Sequence, residues 1–184
     1  MATPDPRMIE LMSYYRDAEL HGATLLLRLI RLMDDPDAQV KLAAHLADET
    51  RHAWLWTKRI NEMGGEPMKI ADGYQKRVGR RTIPRSILEI LALTVVVEER
   101  SFARYVEHME IHNPDPQTLE VLQDVTNDEK WHMSWIRNKL VELARQEGDE
   151  SLAEKAIEKY RLIDAEVYGE LKAKEIEAFG DTVA

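Results

Sequence analysis

The chain has 184 residues, a formal net charge of −9, 44% hydrophobic residues, 32% charged residues and no cysteine. This length is sufficient for one domain with a sizeable core. The negative charge argues against nucleic acid as a main partner, because phosphate contacts need clustered Lys and Arg. The absence of cysteine excludes disulfides, thiolate metal sites and iron–sulfur or rubredoxin-type centres. The chain starts without an apolar signal segment, and its apolar runs are too short or too interrupted to cross a bilayer. We therefore expect a soluble, cytoplasmic protein with no membrane partner.

Helical spacing of the apolar residues predicts four long helices followed by a more polar fifth helix. The predicted helices cover about residues 6–33, 37–63, 84–111, 116–146 and 150–179. The sequences "DDPD" and "HNPDP" interrupt the first and the third helix, and "GG" ends the second.

The lengths of the connections restrict the topology. Short links make the first and second helices antiparallel neighbours, and likewise the third and fourth. The connection 64–83 reaches roughly 60 Å when extended at ~3.3 Å per residue, whereas a helix of about 26 residues is only ~39 Å long. This segment can therefore cross the bundle and leave the second and third helices parallel. The predicted fold is all-α: a four-helix bundle over residues 1–146 with a long crossover, and a C-terminal helix over 147–184 that packs on the bundle or on a partner subunit.

An Asp-Glu-x-x-His block occurs twice, as "DETRH" at 48–52 and as "DEKWH" at 128–132. Residues three apart on a helix share a face, and in both blocks that face is the apolar stripe. The side chains that head for the core are Glu49 with His52, and Glu129 with His132. Buried carboxylates without partners cost several kcal/mol, and a pair of divalent cations would offset that cost.

The other two helices also offer inward acids. Glu19 lies within the apolar stripe of the first helix. On the third helix, the internal repeat favours Glu99, which precedes Pro116 by the same spacing as Glu19 precedes Pro36. The helical wheel favours Glu98 instead, because it lies near the centre of the apolar stripe. Burial direction decides which side chain reaches the core, so Glu98 is the preferred candidate.

This pattern resembles the ferritin-like di-metal superfamily, which includes rubrerythrins, bacterioferritins and bacterial di-iron oxygenases. Residues 48–52 match the Asp-Glu-x-Arg-His form, whereas the second block has Trp131 in the place of Arg. The resemblance covers about residues 6–146 and implies two iron ions, with manganese as the alternative. The ligands that it implies are Glu19, Glu49, His52, Glu98, Glu129 and His132, with Glu49 and Glu129 bridging.

Further residues are candidates around this centre. Asp48 and Asp128 would accept hydrogen bonds from the ligand histidines. His45 is an extra ligand, a donor beside the ligands or a hydrogen-bonded core residue. Tyr15 and Tyr105 would supply a proton or an electron, or would pack as aromatic core residues. The sequence places His21, His108 and His112 at the surface, and the basic segment 76–85 either docks an acidic partner or forms a solvated crossover.

The leading functional hypothesis is a non-haem di-iron oxidoreductase that reacts with O₂ or H₂O₂. It would be a rubrerythrin-like peroxidase or an oxygenase of a small apolar substrate, and an external reductase or ferredoxin would supply electrons. A rubrerythrin has a second Glu three places after its helix-three ligand, where this chain has Ser101. The alternatives are a ferroxidase that handles iron and a metal-free helical interaction module. We expect a homodimer.

Overall fold

The computed structural model describes residues 5–111 and 113–179, and these residues form helices and connections without any strand. The helices are α1 (Pro6–Leu32), α2 (Pro36–Glu62), α3 (Tyr74–Arg81), α4 (Ile87–Ile111), α5 (Pro116–Gln146) and α6 (Ser151–Phe179). The predicted all-α class and its long helices are therefore confirmed.

Three of the long helices begin with the same local chemistry. Asp5, Asp35 and Asp115 each stand at the N-cap before a proline, and each side chain accepts hydrogen bonds from the first backbone N–H groups. A capping carboxylate satisfies donors that have no partner within the helix, and proline is already shaped for the first helical position. After α2 the chain turns at Gly64, whose φ of 81° lies in the left-handed region that glycine tolerates.

The contacts between the two helical hairpins set the directions of the helices. Arg59 near the end of α2 donates to Thr118 (2.9 Å) and Asp115 (2.8 Å) at the start of α5. Lys139 near the end of α5 pairs with Asp35, which precedes α2. The helices α2 and α5 are therefore antiparallel. Because α5 is also antiparallel to α4, α2 and α4 are parallel, as the long crossover predicts.

The crossover contains a helix that the sequence analysis did not predict. In α3, Tyr74 and Val78 are buried, which attaches the segment to the rest of the molecule. Its arginines are paired: Arg77 and Arg80 with Asp72, and Arg81 with two glutamates of α6, at 2.6 Å and 2.5 Å. The first six residues of the segment 76–85 are therefore helical, most of them remain exposed, and the charge of their arginines is largely paired within the chain.

The helix α6 runs along α4 and parallel to it. Lys159 pairs with Glu89 at 2.6 Å near one end, and Lys172 with Glu107 at 3.5 Å near the other. This cover explains why α4 is buried on all sides over residues 90–97, since one face meets the bundle and the other meets α6. The division of the chain at residue 146 stays a prediction. None of the helices in the described ranges combines the length and the apolar character needed to cross a membrane.

Candidate metal centre

Seven buried side chains from four helices meet at the centre of the bundle, and each is at most 3% exposed. They form two groups, in each of which one potential ligand atom per residue lies within 4.8 Å of the others. The first group consists of His45, Glu49, Glu98 and His132, and the second of Glu19, Glu49, His52 and Glu129. Glu49 belongs to both groups, so the two candidate positions are adjacent and share a carboxylate.

Helical spacing explains how α2 supplies three of these side chains. His45, Glu49 and His52 are separated by four and three residues, which places them on one face over two turns. On α4, Glu98 is 3% exposed and belongs to the cluster. The side chain of Glu99 is 33% exposed and accepts from Arg137 at 2.9 Å. The acid in the apolar stripe therefore reaches the centre, and its neighbour does not.

The histidines of the two repeated blocks are oriented by aspartates on the opposite helix. Nε2 of His52 lies 3.1 Å from Asp128, and Nε2 of His132 lies 3.1 Å from Asp48. Their Nδ1 atoms face carboxylates: that of His52 is 3.4 Å from Glu19, and that of His132 is 3.3 Å from Glu129. An Nε2–H that donates to a carboxylate leaves the Nδ1 lone pair available for a cation.

The two repeated blocks differ at one position next to the site: Arg51 follows Glu49 by two residues, and Trp131 follows Glu129 by two. Arg51 donates to Asp124 at 2.7 Å and also to Asp128. Burial opposes the charge of Asp128, but its hydrogen bonds with His52 and Arg51 outweigh it, so the pKa of this carboxyl is lowered. On the other side, Trp131 occupies the equivalent position, with its ring centroid 5.2 Å from that of His132. One half is therefore stabilised by an ion pair and the other by aromatic contact.

Burial prevents the acids of the cluster from all carrying a charge in the absence of a cation. Burial and the charge of Glu98 raise the pKa of Glu49 and of Glu129 well above the ordinary range. Burial also opposes the charge of Glu98, but the contact with the His45 ring at 3.3 Å lowers its pKa to about 2. Protons therefore take the place of cations in the metal-free site, and metal ions would have to displace them.

The pKa values of His52 and His132, the histidines of the two repeated blocks, are shifted in opposite directions. Burial disfavours the charged form of His52, but the close carboxylate of Glu19, 3.4 Å from its Nδ1, raises the pKa of His52 to about 9. Burial and the neighbouring imidazole of His45 lower the pKa of His132 to about 4. In the metal-free centre the charged form is therefore favoured for His52 and disfavoured for His132.

Several atoms of the cluster are buried without a well-formed hydrogen bond to the described residues, as expected of ligands for a pair of cations. Both ring nitrogens of His45, Nδ1 of His52 and Oε1 of Glu49 are buried, and they make no hydrogen bond of acceptable geometry with the described residues. A Cβ at Gly22 would lie only 2.1 Å from Oε2 of Glu49, so the backbone of α1 leaves space for this carboxylate. Carboxylate oxygens with imidazole nitrogens form a donor set that suits iron or manganese.

An aromatic group adjoins the second metal position. Tyr105 donates a hydrogen bond to Glu19, and its ring is stacked with Trp56 at 5.7 Å between centroids. The ring of Tyr15 lies 4.9 Å from that of Tyr105, and its hydroxyl is 3.3 Å from Nδ1 of His108. Burial and the charge of Glu19 raise the pKa of Tyr105 well above its ordinary value, so this tyrosine keeps its proton.

The prediction that His108 lies at the surface is wrong, because this residue is only 1% exposed. On α4 it follows Tyr105 by three residues, which places it on the same face. The side chain of His21 is one-third exposed, as expected for the surface, and His112 lies outside the described residues.

A comparison with known proteins bears on this arrangement. A protein named bacterioferritin from Desulfovibrio desulfuricans is 27% identical over 139 residues, which cover 72% of this chain and 73% of that protein. The helical bundle, the buried cluster and this similarity point to the ferritin-like superfamily. The carboxylate and histidine groups of the ferritin-like bundle are compatible with two iron ions. No protein-family model matches the chain, and no solved structure matches it significantly.

The sequence analysis of this ferritin-like chain missed Gly22. The signal was present, since a glycine within a helix costs about 1 kcal/mol relative to alanine and this one follows Glu19 by three residues, on the same face. A glycine at such a position indicates a close approach by a group from another helix. Here that group is the carboxylate of Glu49.

Proposed function

We propose that this protein handles iron by binding two Fe(II) ions at the centre of the bundle and oxidising them. The observation that carries the proposal is the pair of buried donor groups that share Glu49. The similarity to a protein named bacterioferritin supports iron rather than an organic molecule as the substrate. The sequence alone favoured an oxidoreductase that acts on peroxide or an organic substrate, and the relative favours the ferroxidase alternative.

The proposed ligands are the six residues that the sequence resemblance implies. One position would be formed by Glu98 and His132 and the other by Glu19 and His52, with Glu49 and Glu129 between them. Burial makes this set effective, because carboxylates that repel one another at low dielectric favour a divalent cation strongly. Asp48 and Asp128 would hold the two histidines in the tautomer that leaves Nδ1 free.

The reaction is balanced by small reactants alone. Each Fe(II) loses one electron, and one O₂ accepts two electrons and two protons to give H₂O₂. The Tyr105 hydroxyl is held at Glu19, where it can pass a proton while the charge of the site changes. A cavity lined by Tyr15 and Tyr105 has a volume of about 20 Å³, which is about the size of one water molecule.

A second candidate function is peroxide reduction or oxidation of a small apolar substrate, with electrons from an external reductase or ferredoxin. The aromatic group of Tyr15, Tyr105 and Trp56 supports it, because these rings touch one another and reach Glu19. Tyr105 and Tyr15 would then supply an electron or a proton to the centre. The peroxidase branch predicts that the Fe(II)-loaded protein reacts far faster with H₂O₂ than with O₂, and the oxygenase branch predicts a long-lived coloured species with O₂. This second candidate also predicts that Tyr105→Phe slows turnover without changing iron affinity.

The proposal is tested by anaerobic Fe(II) titration followed by measurement of O₂ consumption. We expect two Fe(II) per chain and one O₂ consumed for every two Fe(II) oxidised. Glu98→Gln should lose one of the two ions. The matched control is Glu99→Gln, which removes the adjacent carboxylate and should retain both ions. A wild-type chain that binds no iron, or a Glu98→Gln variant that binds iron like wild type, would contradict the proposal.

A further inference from the structure

We propose that His45 is a direct ligand to one of the two metal ions, in addition to the six residues assigned above. The position formed by Glu98 and His132 would then have two imidazoles, and the position formed by Glu19 and His52 would have one. This inference rests on the proposed binding of two ions, and it makes the two positions chemically unequal.

The ring of His45 points into the cluster. Its Nε2 lies 3.3 Å from Oε1 of Glu49 and 3.3 Å from Oε1 of Glu98. Two carboxylate oxygens and an imidazole nitrogen at such separations can converge on one ion placed between them. His45 is completely buried, and its nitrogen belongs to the same group of ligand atoms as those of Glu98 and His132.

The hydrogen bonding of His45 differs from that of the other two histidines in the cluster. His52 and His132 each donate from one ring nitrogen to an aspartate. Neither nitrogen of His45 makes a hydrogen bond with suitable geometry within residues 5–111 and 113–179. The contacts of Nε2 with Glu49 and Glu98 are close but lack hydrogen-bond geometry, and burial of a polar group without a well-formed hydrogen bond is unfavourable, so this fully buried imidazole calls for a ligand at Nε2. A cation on Nε2 would supply it.

Packing fixes the orientation of the ring. The imidazole of His45 is stacked on that of His132, with centroids 3.6 Å apart and an interplanar angle of 21°. The rings of Trp131 and Trp135 meet it in T-shaped arrangements, at 6.1 Å and 5.9 Å between centroids. A ring held in this way is preorganised, which favours metal binding because little rotational freedom is lost. The fixed direction of the ring also explains why His45 supplies a ligand atom to only one of the two metal positions.

The inference predicts two distinct affinities in a titration with Co(II), which is used here as the probe because its visible absorption reports ligand number and type. Wild type should bind two Co(II) per chain. In His45→Leu, one ion should bind as before, and the affinity for the other should fall by about 100-fold or more, since loss of a mere outer hydrogen-bond partner already costs 10–100-fold. His108→Gln is the matched control: it replaces a buried histidine outside the cluster and should retain both ions.

A role in packing alone is separated from ligation by chemical rescue. His45→Gly leaves a cavity beside Glu49 and Glu98, and added imidazole should restore the second Co(II) together with its absorption spectrum. X-ray absorption at the cobalt edge should show three imidazoles for two ions in wild type and two in His45→Leu. If His45→Leu does not fold by circular dichroism, His45→Gln and the rescued glycine variant provide the same comparison.

The outcomes separate this inference from the proposed function. Wild-type protein that binds no Co(II) and no Fe(II) would overturn both. Wild type and His45→Leu that bind two ions with the same affinities and spectra would overturn the role of His45 and leave the di-metal site in place. Loss of the second ion without rescue by imidazole, in a folded variant, would also reject ligation and leave a packing role.

Discussion

Nε2 of His132 on α5 lies 3.1 Å from Oδ2 of Asp48 on α2, and the reverse pair, His52 on α2 with Asp128 on α5, has the same separation. Each helix thus orients the histidine of the other. The four residues come from the two Asp-Glu-x-x-His blocks, so the repeat in the sequence becomes a reciprocal pair of hydrogen bonds in the structure.

Removal of one of these aspartates should weaken metal binding without unfolding the protein. We expect Asp48→Ala to lower metal affinity by about 10–100-fold, because the histidine loses the partner that fixes its tautomer and raises its basicity. The control is Asp124→Ala, which removes a carboxylate that pairs with Arg51 at the surface. Calorimetric titration with Co(II) measures both variants, and equal affinities for the two would count against the orienting role of Asp48.

Gly22→Ala should separate metal binding from stability. The new methyl group would meet Oε2 of Glu49, and this side chain can move away because its end is flexible. We therefore expect a folded protein with an unfolding temperature close to that of wild type and a clear loss of metal affinity. Gly169→Ala is the control, since no atom lies within 4 Å of its Cβ position, and it should gain up to about 1 kcal/mol from helix propensity. A Gly22→Ala protein with full metal affinity would show that Glu49 does not need this space.

The metal-free protein should lose stability as the pH rises from 6.5 to 9. The pKa of His52 is raised from 6.5 to about 9, and those of Glu49 and Glu129 are also raised. The folded state therefore binds more protons than the unfolded state in this range, and the free energy of unfolding falls with pH. The lowered pKa values of Glu98, to about 2, and of His132, to about 4, act below this window.

Thermal unfolding at several pH values, with chelator present, measures this slope. With a saturating divalent cation the slope should reverse, because the metal binds the deprotonated ligands and its affinity rises with pH. The variant His52→Gln should flatten the slope of the metal-free protein. A melting temperature that rises from pH 6.5 to 9 without metal would contradict the assignment of protons to this cluster.

Glu129→Gln should make the metal-free protein at least as stable as wild type while it weakens metal binding. Burial and the charge of Glu98 raise the pKa of Glu129, so an amide of the same size avoids the free-energy cost of neutralising a buried carboxyl group on folding. A cation at 100 times its dissociation constant stabilises wild type by about 2.7 kcal/mol, and the variant should gain much less. Melting curves with and without Co(II) give both quantities, and an equal gain in the two proteins would argue against a ligand role for Glu129.

The choice between Glu98 and Glu99 shows how far local sequence information extends. The helical wheel placed Glu98 in the apolar stripe, and the structure buries this residue and leaves Glu99 to pair with Arg137 and Arg161. The sequence analysis placed His108 at the surface because it did not apply this reasoning there. His108 follows Tyr105 by three residues and therefore lies on the same inward face. The short α3 was missed because it lies in a polar, arginine-rich segment, where only two of its residues are buried.

By itself, the sequence determined which side chains share the inner face of each helix, since the 3.6-residue period sets those directions locally. It also determined the crossover, because the length of chain between α2 and α4 allows the two helices to be parallel. Only the tertiary structure decided which inward groups meet: the exchange of Asp48 and Asp128 between helices, the approach of Glu49 to Gly22, and the stacking of His45 on His132. These contacts depend on the rotation and the spacing of helices that are far apart in the chain, and packing of the whole bundle sets both.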